Sequence, residues 1–350
     1  MGDFEIIDLF AGPGGLDVAA HSLGIPVTGI ELDADACRTR RAYEKTLAED
    51  AAPLATEEGD VRDFEPEKFP SANVLAAGPP CQTFSVAGSG AGRRNLDQVK
   101  TFIHRMAEGD DVRNDLSCLS DPRTGLVLEP LRWALARREP YEAIVLEQVV
   151  AVRPVWEEVA AVLRKRGYDV AVDVLNTEEY GVPQTRRRAI LIARLGQEAA
   201  LPVPTHQRYR KGRGRVSRKE HPEQLKPWRS MGSVLSHRSL KDFTVISNYG
   251  TAGVPHDRGQ RAHNEPAFTV TSRFDRNRLF DSAGFYIDHV TPQQAALLQT
   301  FPRNYPWQGH GTSVGVQIGN AIPPLLAAHI LTAALGLHPG DDVRLGYGGF

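Results

Sequence analysis

Short apolar runs separated by helical patterns are the feature that most constrains the fold of this chain. Four such runs, of four or five mostly apolar residues, lie at 6–10, 27–30, 74–77 and 143–146. Each is followed within two residues by a glycine or an acidic residue. Between the first two runs, Leu16 to Leu23 place apolar side chains on one face of a helix that Gly24 ends. Buried strands that alternate with helices predict an α/β domain built on a mostly parallel sheet.

The strand and helix alternation stops between about 201 and 285. That stretch carries a basic run from Arg208 to Lys219 and two short β-like pieces, at 243–246 and 267–271. A helical pattern then returns and ends with Leu325 to Ala334 and Gly336. The sequence therefore predicts three segments. They are an α/β part at 1–200, a small irregular domain at 201–285, and a return to the first domain at 286–340.

Charge and cysteine content limit the kind of partner and the setting. The 350 residues carry a net charge of −2, so a nucleic acid would have to meet a local basic patch. The three cysteines form no CxxC pair, which predicts reduced thiols and no metal site. The first residues lack the pattern of a signal peptide, and no unbroken apolar stretch approaches membrane-spanning length. We expect a cytoplasmic protein that does not contact a membrane.

A glycine-rich turn between the first strand and the first helix predicts close approach of a ligand to the backbone. The turn is Gly12–Gly15, but position 17 is Asp, so the dinucleotide GxGxxG pattern fails. That failure argues against a nicotinamide oxidoreductase. Glu31 ends the second strand about 20 residues later, where an acid can bind ribose hydroxyls. Asp60 could accept a hydrogen bond from an adenine amino group.

The run at 74–77 leads into a rigid loop with a thiol, Gly78-Pro79-Pro80-Cys81-Gln82. Two prolines fix φ and remove two backbone donors, so the chain leaves the strand in a stiff, non-helical turn. A cysteine at such a turn can be aimed into a cleft as a nucleophile. A buried structural cysteine is the alternative.

Further polar residues follow predicted strands or precede helices. Glu147 comes directly after the run at 143–146, where substrate chemistry usually lies in an α/β sheet. If a strand begins at Arg188, Arg186 shares its face. The polar loop 82–100 could close over a substrate. Asn320 either caps the last helix or binds a ligand.

These stretches together resemble the DNA (cytosine-5)-methyltransferase family of the prokaryotic type. The matching motifs are Asp8–Gly15, Gly78–Gln82, Glu147–Val149, Gln184–Arg188 and Gly319–Pro324, in the order in which the family carries them. The resemblance implies a Rossmann-like, S-adenosylmethionine-dependent domain with a mixed, mostly parallel sheet. It implies that 1–200 is the catalytic and cofactor-binding part, that 201–285 is a small irregular target-recognition domain that reads DNA, and that 286–340 returns to the catalytic domain with the closing helix.

The family's activity is methyl transfer from S-adenosylmethionine to carbon 5 of cytosine in double-stranded DNA, without a metal. It yields S-adenosylhomocysteine and requires the base to be flipped out. The expected chain is a monomer, and a cognate restriction endonuclease is a conceivable partner. Two alternatives stay open: the same chemistry on tRNA, or a catalytically silent DNA-binding regulator.

The resemblance also assigns roles to individual residues. Cys81 would attack carbon 6, Glu147 would hold N3 and the amino group, and Arg188 would contact O2 with support from Arg186. The expected cofactor residues are Phe10, Ala11, Gly12, Gly14, Gly15, Leu16, Glu31, Leu32, Asp60, Val61, Gly78, Pro80, Asn320 and Ala321. The expected DNA-binding residues are Gln82, Ser85, Arg93, Arg94, Arg208, Arg210, Lys211, Arg213 and Arg215.

Two positions depart from the family pattern. Gln148 stands where the family usually has Asn, and Thr83 stands where a small residue or proline is common. Gln148 keeps the amide but adds a methylene, so its bond to the proline loop could shift. Neither change removes a reacting group.

Overall fold

A seven-stranded sheet forms the centre of the computed structural model, which describes residues 4–80, 84, 94–212, 225–235, 240–247 and 258–337. The strands are β1 Ile6–Leu9, β2 Val27–Glu31, β3 Leu54–Glu58, β4 Val74–Ala77, β5 Ala143–Val149, β6 Tyr168–Asn176 and β7 Arg187–Leu195. Their order is β3-β2-β1-β4-β5-β7-β6. The pairs within β1–β5 are parallel, and β7 runs antiparallel to both β5 and β6. The predicted mixed, mostly parallel sheet is confirmed.

The helices are α1 Gly15–Ser22, α2 Ala34–Glu44, α3 Leu96–Ala107, α4 Glu129–Ala136, α5 Arg153–Lys165, α6 Gly232–Leu235, α7 Pro292–Leu298, α8 Gly311–Asn320 and α9 Pro324–Leu335. Helices cover both faces of the central sheet, since alternation along β1 sends Ile7 into the core with Trp133 and Trp156, and Ile6 into the core with Leu331. Because both faces are covered, the inner strands β1, β4 and β5 are mostly apolar.

The last helix closes the domain against the first. The contacts of α9 with α1 build one apolar cluster, and Gly336, at φ +64°, ends the helix in the left-handed conformation, as predicted. The run 311–335 is long and apolar enough to cross a membrane by composition. However, 72% of its most apolar window is buried inside the protein, as in a core helix.

A second, four-stranded antiparallel sheet lies in the stretch where the alternation stops. Its strands are β8 Phe243–Ile246, β9 Gln260–Ala262, β10 Arg278–Asp281 and β11 Tyr286–His289, in the order β11-β10-β8-β9. The predicted piece at 243–246 is a strand, and the sheet extends to His289, past the predicted boundary at 285. The piece at 267–271 was wrongly predicted as β-like. Ala267 makes a single bridge to Gln184, because this segment bonds to the first domain instead of to the second sheet.

Two details of the helices differ from what the sequence suggests. The pattern from Asp121 to about Arg137 predicts one helix, but the structure has a 3₁₀ stretch, Pro122–Leu128, followed by α4. Pro130 in the first turn of α4 explains this, because proline lacks an N–H and clashes with a carbonyl four residues earlier. Asn320 does not cap α9, since it is the last residue of α8, and α9 begins with Pro324 at its first position.

Candidate active site

The glycine loop after β1 has an unusual backbone. Phe10, Gly12 and Gly14 have φ of +62°, +56° and +96°. A positive φ is strained for a residue such as Phe10, and strain of this kind clusters at ligand sites. A Cβ added to Gly12 would meet nothing within 4 Å. The loop therefore presents bare backbone to open space, where a ligand can approach it closely.

Glu31, at the carboxyl end of β2, is held beside this loop by two backbone donors. Its Oε2 accepts from the Gly12 N–H at 2.7 Å, and its Oε1 accepts from the Asp33 N–H at 2.7 Å. Leu32 follows with 65% of its side chain exposed. A fixed carboxylate next to an exposed apolar side chain fits a nucleoside, with ribose hydroxyls on the acid and a base against the leucine. The residues present therefore suit S-adenosylmethionine.

Asp60 is engaged by its neighbour Arg62. Its Oδ1 accepts from the backbone N–H of Arg62 at 3.0 Å and from Nε at 2.9 Å, and its Oδ2 accepts from Nη2 at 2.6 Å. These hydrogen bonds lower the pKa of Asp60, so the carboxylate stays ionised. An adenine amino group would share acceptor lone pairs with this arginine.

The return segment packs directly on the start of α1. A Cβ on Gly15 would overlap the Ile322 carbonyl oxygen, so only glycine permits this contact. Asn320 is exposed at the end of α8, close to the glycine loop, whereas Ala321 is buried. Two other predicted cofactor residues, Leu16 and Val61, have side chains buried in the core.

A buried ion pair lies beneath the glycine loop, and the sequence did not reveal it. The Arg40 guanidinium contacts the Asp17 carboxylate, with both side chains fully buried. Arg40 also donates to Thr56 Oγ1 at 3.1 Å and to the Ala55 carbonyl at 3.0 Å. Burial raises the pKa of the nearby Asp8 to about 8. Acidic residues are common in the first turn of a helix, so the sequence gave no indication that Asp17 pairs with Arg40.

Glu147 and Arg188 meet at the carboxyl end of β5. Arg188 Nε lies 2.6 Å from Glu147 Oε1, and the two side chains are 12% and 14% exposed. The antiparallel register of β5 and β7 brings the two residues together. A Cβ on Gly78 would lie 3.8 Å from Glu147 Oε2, so the pair sits beside the end of β4, where the cysteine loop begins.

Gln148 keeps the contact that the shorter Asn was expected to make. Its side chain is 4% exposed, its Nε2 donates to the Pro79 carbonyl, and its Oε1 accepts from the Val149 N–H. The amide therefore ties β5 to the proline loop. Pro80 is half-buried, and Cys81 itself lies outside the described residues.

Arg186 faces away from this edge. It is 1% exposed and donates to the carbonyls of Val270 at 2.9 Å, Gly319 at 3.0 Å and Ala321 at 3.2 Å. The prediction that it shares a face with Arg188 assumed a strand that begins at Arg188, but β7 begins at Arg187. Arg186 lies before the strand and is covered by segments that come much later in the chain. Its geometry is that of a structural link between these segments.

The predicted DNA-binding residues are only partly described. Gln82, Ser85, Arg93, Arg213 and Arg215 lie outside the described residues, as does Cys81. The described ones, Arg94, Arg208, Arg210 and Lys211, are exposed. The N–H groups of Thr205 and His206 both donate to the Glu179 carbonyl at 2.9 Å. The basic segment therefore leaves from the turn after β6, at the same sheet edge as Glu147.

Solved structures with this architecture are methyltransferases. The crystal structure of S. pombe Dnmt2 methyltransferase has a TM-score of 0.62 and 16% identity, and the match covers 95% of this chain and 98% of that one. A putative DNA modification methyltransferase encoded in an E. coli prophage has a TM-score of 0.58 and 15% identity, over 95% and 99% of the chains. The fold is that of DNA methyltransferases.

The sequence then gives the family. The family model described as C-5 cytosine-specific DNA methylase matches residues 4–105 and 121–335, so the chain belongs to that family. A type II methyltransferase of Haemophilus parahaemolyticus, M1.HphI, is 26% identical over 96% of this chain and 87% of its own length. M.Sau96I of Staphylococcus aureus is 25% identical over 94% and 75%. The chain is thus a cytosine-5 DNA methyltransferase, of a family whose methyl donor is S-adenosylmethionine.

Proposed function

We propose that this chain methylates carbon 5 of a flipped cytosine in duplex DNA through a covalent bond between Cys81 and carbon 6. The observation that carries the proposal is the Glu147–Arg188 pair beside the Gly78-Pro79 turn. A carboxylate and a guanidinium fixed at this edge match the donor and acceptor pattern of a cytosine. Cys81 follows this turn in the sequence, and the proposal has its thiol act on a base held by the pair.

The pair can hold the base on two sides. Arg188 uses Nε for Glu147 and Nη1 for the Arg187 carbonyl at 2.8 Å. A guanidinium has five N–H donors, so others are left for the cytosine O2. Glu147 would face N3 and the exocyclic amino group. Gln148 would keep the turn, and with it Cys81, at a fixed height above the pair.

Carbon 5 of cytosine is too weak a nucleophile to take the methyl group by itself. A nucleophile of the enzyme must therefore first activate the ring. Attack of the Cys81 thiolate on carbon 6 forms a C–S bond and makes carbon 5 an enamine carbon. A proton shared between Glu147 and N3 offsets the charge that the ring takes up. Bound S-adenosylmethionine supplies an electrophilic methyl group. After carbon 5 has taken that methyl, a base removes its proton, and the electron pair expels Cys81 as thiolate.

Duplex DNA would be bound by the basic segment that leaves the same edge. Arg208, Arg210 and Lys211 are exposed there and suit phosphate contacts. Flipping the base costs a few kcal/mol, about what several phosphate contacts can offset. The type II names of its relatives support a role in restriction and modification, with a cognate endonuclease in the same cell. We propose that the methyltransferase itself acts as a monomer.

The first experiment measures transfer of tritium from labelled S-adenosylmethionine to mixed-sequence duplex DNA. Wild type should label carbon 5 of cytosine, and Cys81→Ala should abolish the label. Cys118→Ala removes an exposed thiol and is the matched control, with unchanged activity expected. Arg188→Ala should slow transfer about 10²- to 10³-fold, as for loss of a donor to a charge-bearing oxygen.

A second measurement tests the covalent step. In DNA that carries 5-fluorocytosine, carbon 5 has no proton to lose after methylation, so the bond to Cys81 should survive a denaturing gel. Full label in Cys81→Ala would refute the nucleophile. Label on tRNA but not on DNA would refute the substrate. DNA binding without label on either would indicate a silent regulator.

A further inference from the structure

Tyr305 connects the return segment to the glycine loop across 292 positions of sequence. Its side chain is 5% exposed, and its hydroxyl donates to the Pro13 carbonyl at 2.5 Å. Pro13 has no N–H and lies between Gly12 and Gly14, both at positive φ. The two glycines restrict the backbone of the loop very little. The hydrogen bond from Tyr305 therefore fixes the position of Pro13 between them.

The tyrosine is itself fixed by an aromatic cluster. Its ring centroid lies 4.9 Å from that of Tyr43, 4.8 Å from that of Phe301 and 4.8 Å from that of Trp307. Its backbone N–H donates to the Pro302 carbonyl at 3.0 Å. Because these contacts fix the Tyr305 ring, its hydroxyl can fix the position of the Pro13 carbonyl.

The glycine loop rests directly on this hydroxyl. A Cβ on Gly14 would lie 2.9 Å from the Tyr305 hydroxyl and 2.6 Å from Asp17 Oδ2. The fully buried pair of Asp17 and Arg40 lies on the same side. The loop therefore has a rigid floor made of the tyrosine and the ion pair, and its open side lies over Gly12.

Backbone strain marks both ends of the connection. Among the described residues, the non-glycine positions with positive φ are Phe10, at +62°, and Thr300, at +66°. Phe10 begins the glycine loop, and Thr300 begins the segment that carries Tyr305. For a β-branched residue such as Thr300 this conformation is a clear outlier. Such backbone strain is kept where the surrounding structure holds the residue in place, and it is found most often at functional sites. The strain at Phe10 and Thr300 therefore suggests that the connection between them serves a function.

We infer that Tyr305 is a positioning residue for the cofactor, which sets the height of the Pro13 carbonyl and so shapes the part of the pocket that takes the methionine half of S-adenosylmethionine. The inference rests on the proposed function. It concerns the amino-acid part of the ligand, because the Tyr305 bond ends on Pro13, whereas Glu31, the proposed ribose ligand, is held by the N–H groups of Gly12 and Asp33.

The test compares two tyrosine variants of the full chain by calorimetric binding. Tyr305→Phe removes the hydroxyl that reaches the loop. Tyr43→Phe is the matched control, since it removes a hydroxyl from the same cluster, and no hydrogen bond in the described part of the chain joins Tyr43 to the loop. The probes are S-adenosylhomocysteine and methylthioadenosine, which shares the adenosine but lacks the amino-acid part.

Tyr305→Phe should weaken S-adenosylhomocysteine binding about three- to tenfold, the usual effect of one hydrogen bond. Binding of methylthioadenosine should change less than about twofold, since its contacts lie elsewhere. In methyl transfer, the KM for the donor should rise with kcat retained. Tyr43→Phe should change neither ligand.

Three results would overturn the inference. They are an equal loss for both ligands, unchanged binding of S-adenosylhomocysteine, or the same loss in Tyr43→Phe, which would indicate general loosening of the cluster. Without ligand, the melting temperature should fall more in Tyr305→Phe than in Tyr43→Phe, because the Pro13 carbonyl loses its donor. Failure of wild type to bind S-adenosylhomocysteine would overturn the proposed function as well, and that result is seen before any variant is compared.

Discussion

Replacing Arg186 by methionine tests whether this arginine holds the fold together or acts on the substrate. The change removes the donors to the carbonyls of Val270, Gly319 and Ala321. The Ala321 carbonyl keeps a second donor, Gln299 Nε2 at 3.2 Å, so two buried carbonyls are left without a side-chain donor, at about 1–3 kcal/mol each. Burial of the apolar methionine returns about 1.5–3 kcal/mol. The net loss of unfolding free energy should therefore be about 2 kcal/mol, within the usual range of single substitutions.

Urea denaturation followed by tryptophan fluorescence measures this loss, because Trp133 and Trp156 are fully buried beside the central sheet. Arg187→Met is the matched control. It changes the next residue, which is exposed, and should shift the unfolding free energy by less than about 0.5 kcal/mol. Arg186→Lys, which keeps the charge but loses the planar fork, should fall between the two.

The outcome separates two roles for Arg186. Structural linkage requires that stability fall much more in Arg186→Met than in Arg187→Met. If both variants unfold alike while only Arg186→Met loses methyl transfer, the arginine acts on the base, and our reading of its contacts is refuted. The activity of the folded fraction, measured without urea, completes the comparison.

Three further substitutions probe the rest of the site. Gln148→Leu removes the amide that bonds to the proline loop and should lower kcat about 10-fold or more, with the unfolding free energy down by about 1–3 kcal/mol. Asp8, whose pKa is raised from 3.8 to about 8, keeps a proton in the folded state that the unfolded chain releases. The stability that Asp8 contributes should thus be greatest below pH 4 and be lost toward pH 8, by at most about 1.4 kcal/mol per pH unit. Urea midpoints of wild type relative to Asp8→Asn should follow that decline. Gly319→Ala would drive a Cβ into the Ser272 nitrogen and should cost about 3 kcal/mol or more, whereas Gly311→Ala, with open space around it, should stay within about 1 kcal/mol of wild type by urea denaturation.

Much of the fold follows from local patterns in the sequence. The strands β1, β2, β4 and β5 were predictable because each is a short apolar run that ends at a glycine or an acid. The sequence did not show that β7 inserts between β5 and β6, because an apolar strand carries no mark of its neighbours. The 3₁₀ stretch before α4 was missed because its apolar spacing matches a helix and only Pro130 marks the change.

Some residues of the candidate site could also be predicted from the sequence, and others could not. The Gly12–Gly15 turn and Glu31 were identified by spacing alone, and the structure joins them by a hydrogen bond from Gly12 to the Glu31 carboxylate. Tyr305 gave no comparable signal. It looks like an ordinary core aromatic residue, and its role depends on a carbonyl 292 positions earlier in the chain.

Arg186 and Arg188 show most clearly what a sequence pattern leaves open. A spacing of two would place both side chains on one face of a strand, but β7 begins at Arg187, and the two side chains have different partners. The pattern does not say what covers that face. β7 begins at Arg187, so Arg188 lies within the sheet at an edge shared with Glu147, while Arg186 lies just before the strand. There the segment around Val270 and the end of α8 close over Arg186, and its charge is met by carbonyls. One guanidinium thus contacts both the segment that leads from the second sheet and the turn that carries the predicted cofactor residues. Arg186 therefore links the position of the segment around Val270 to that of the turn at Gly319 and Ala321.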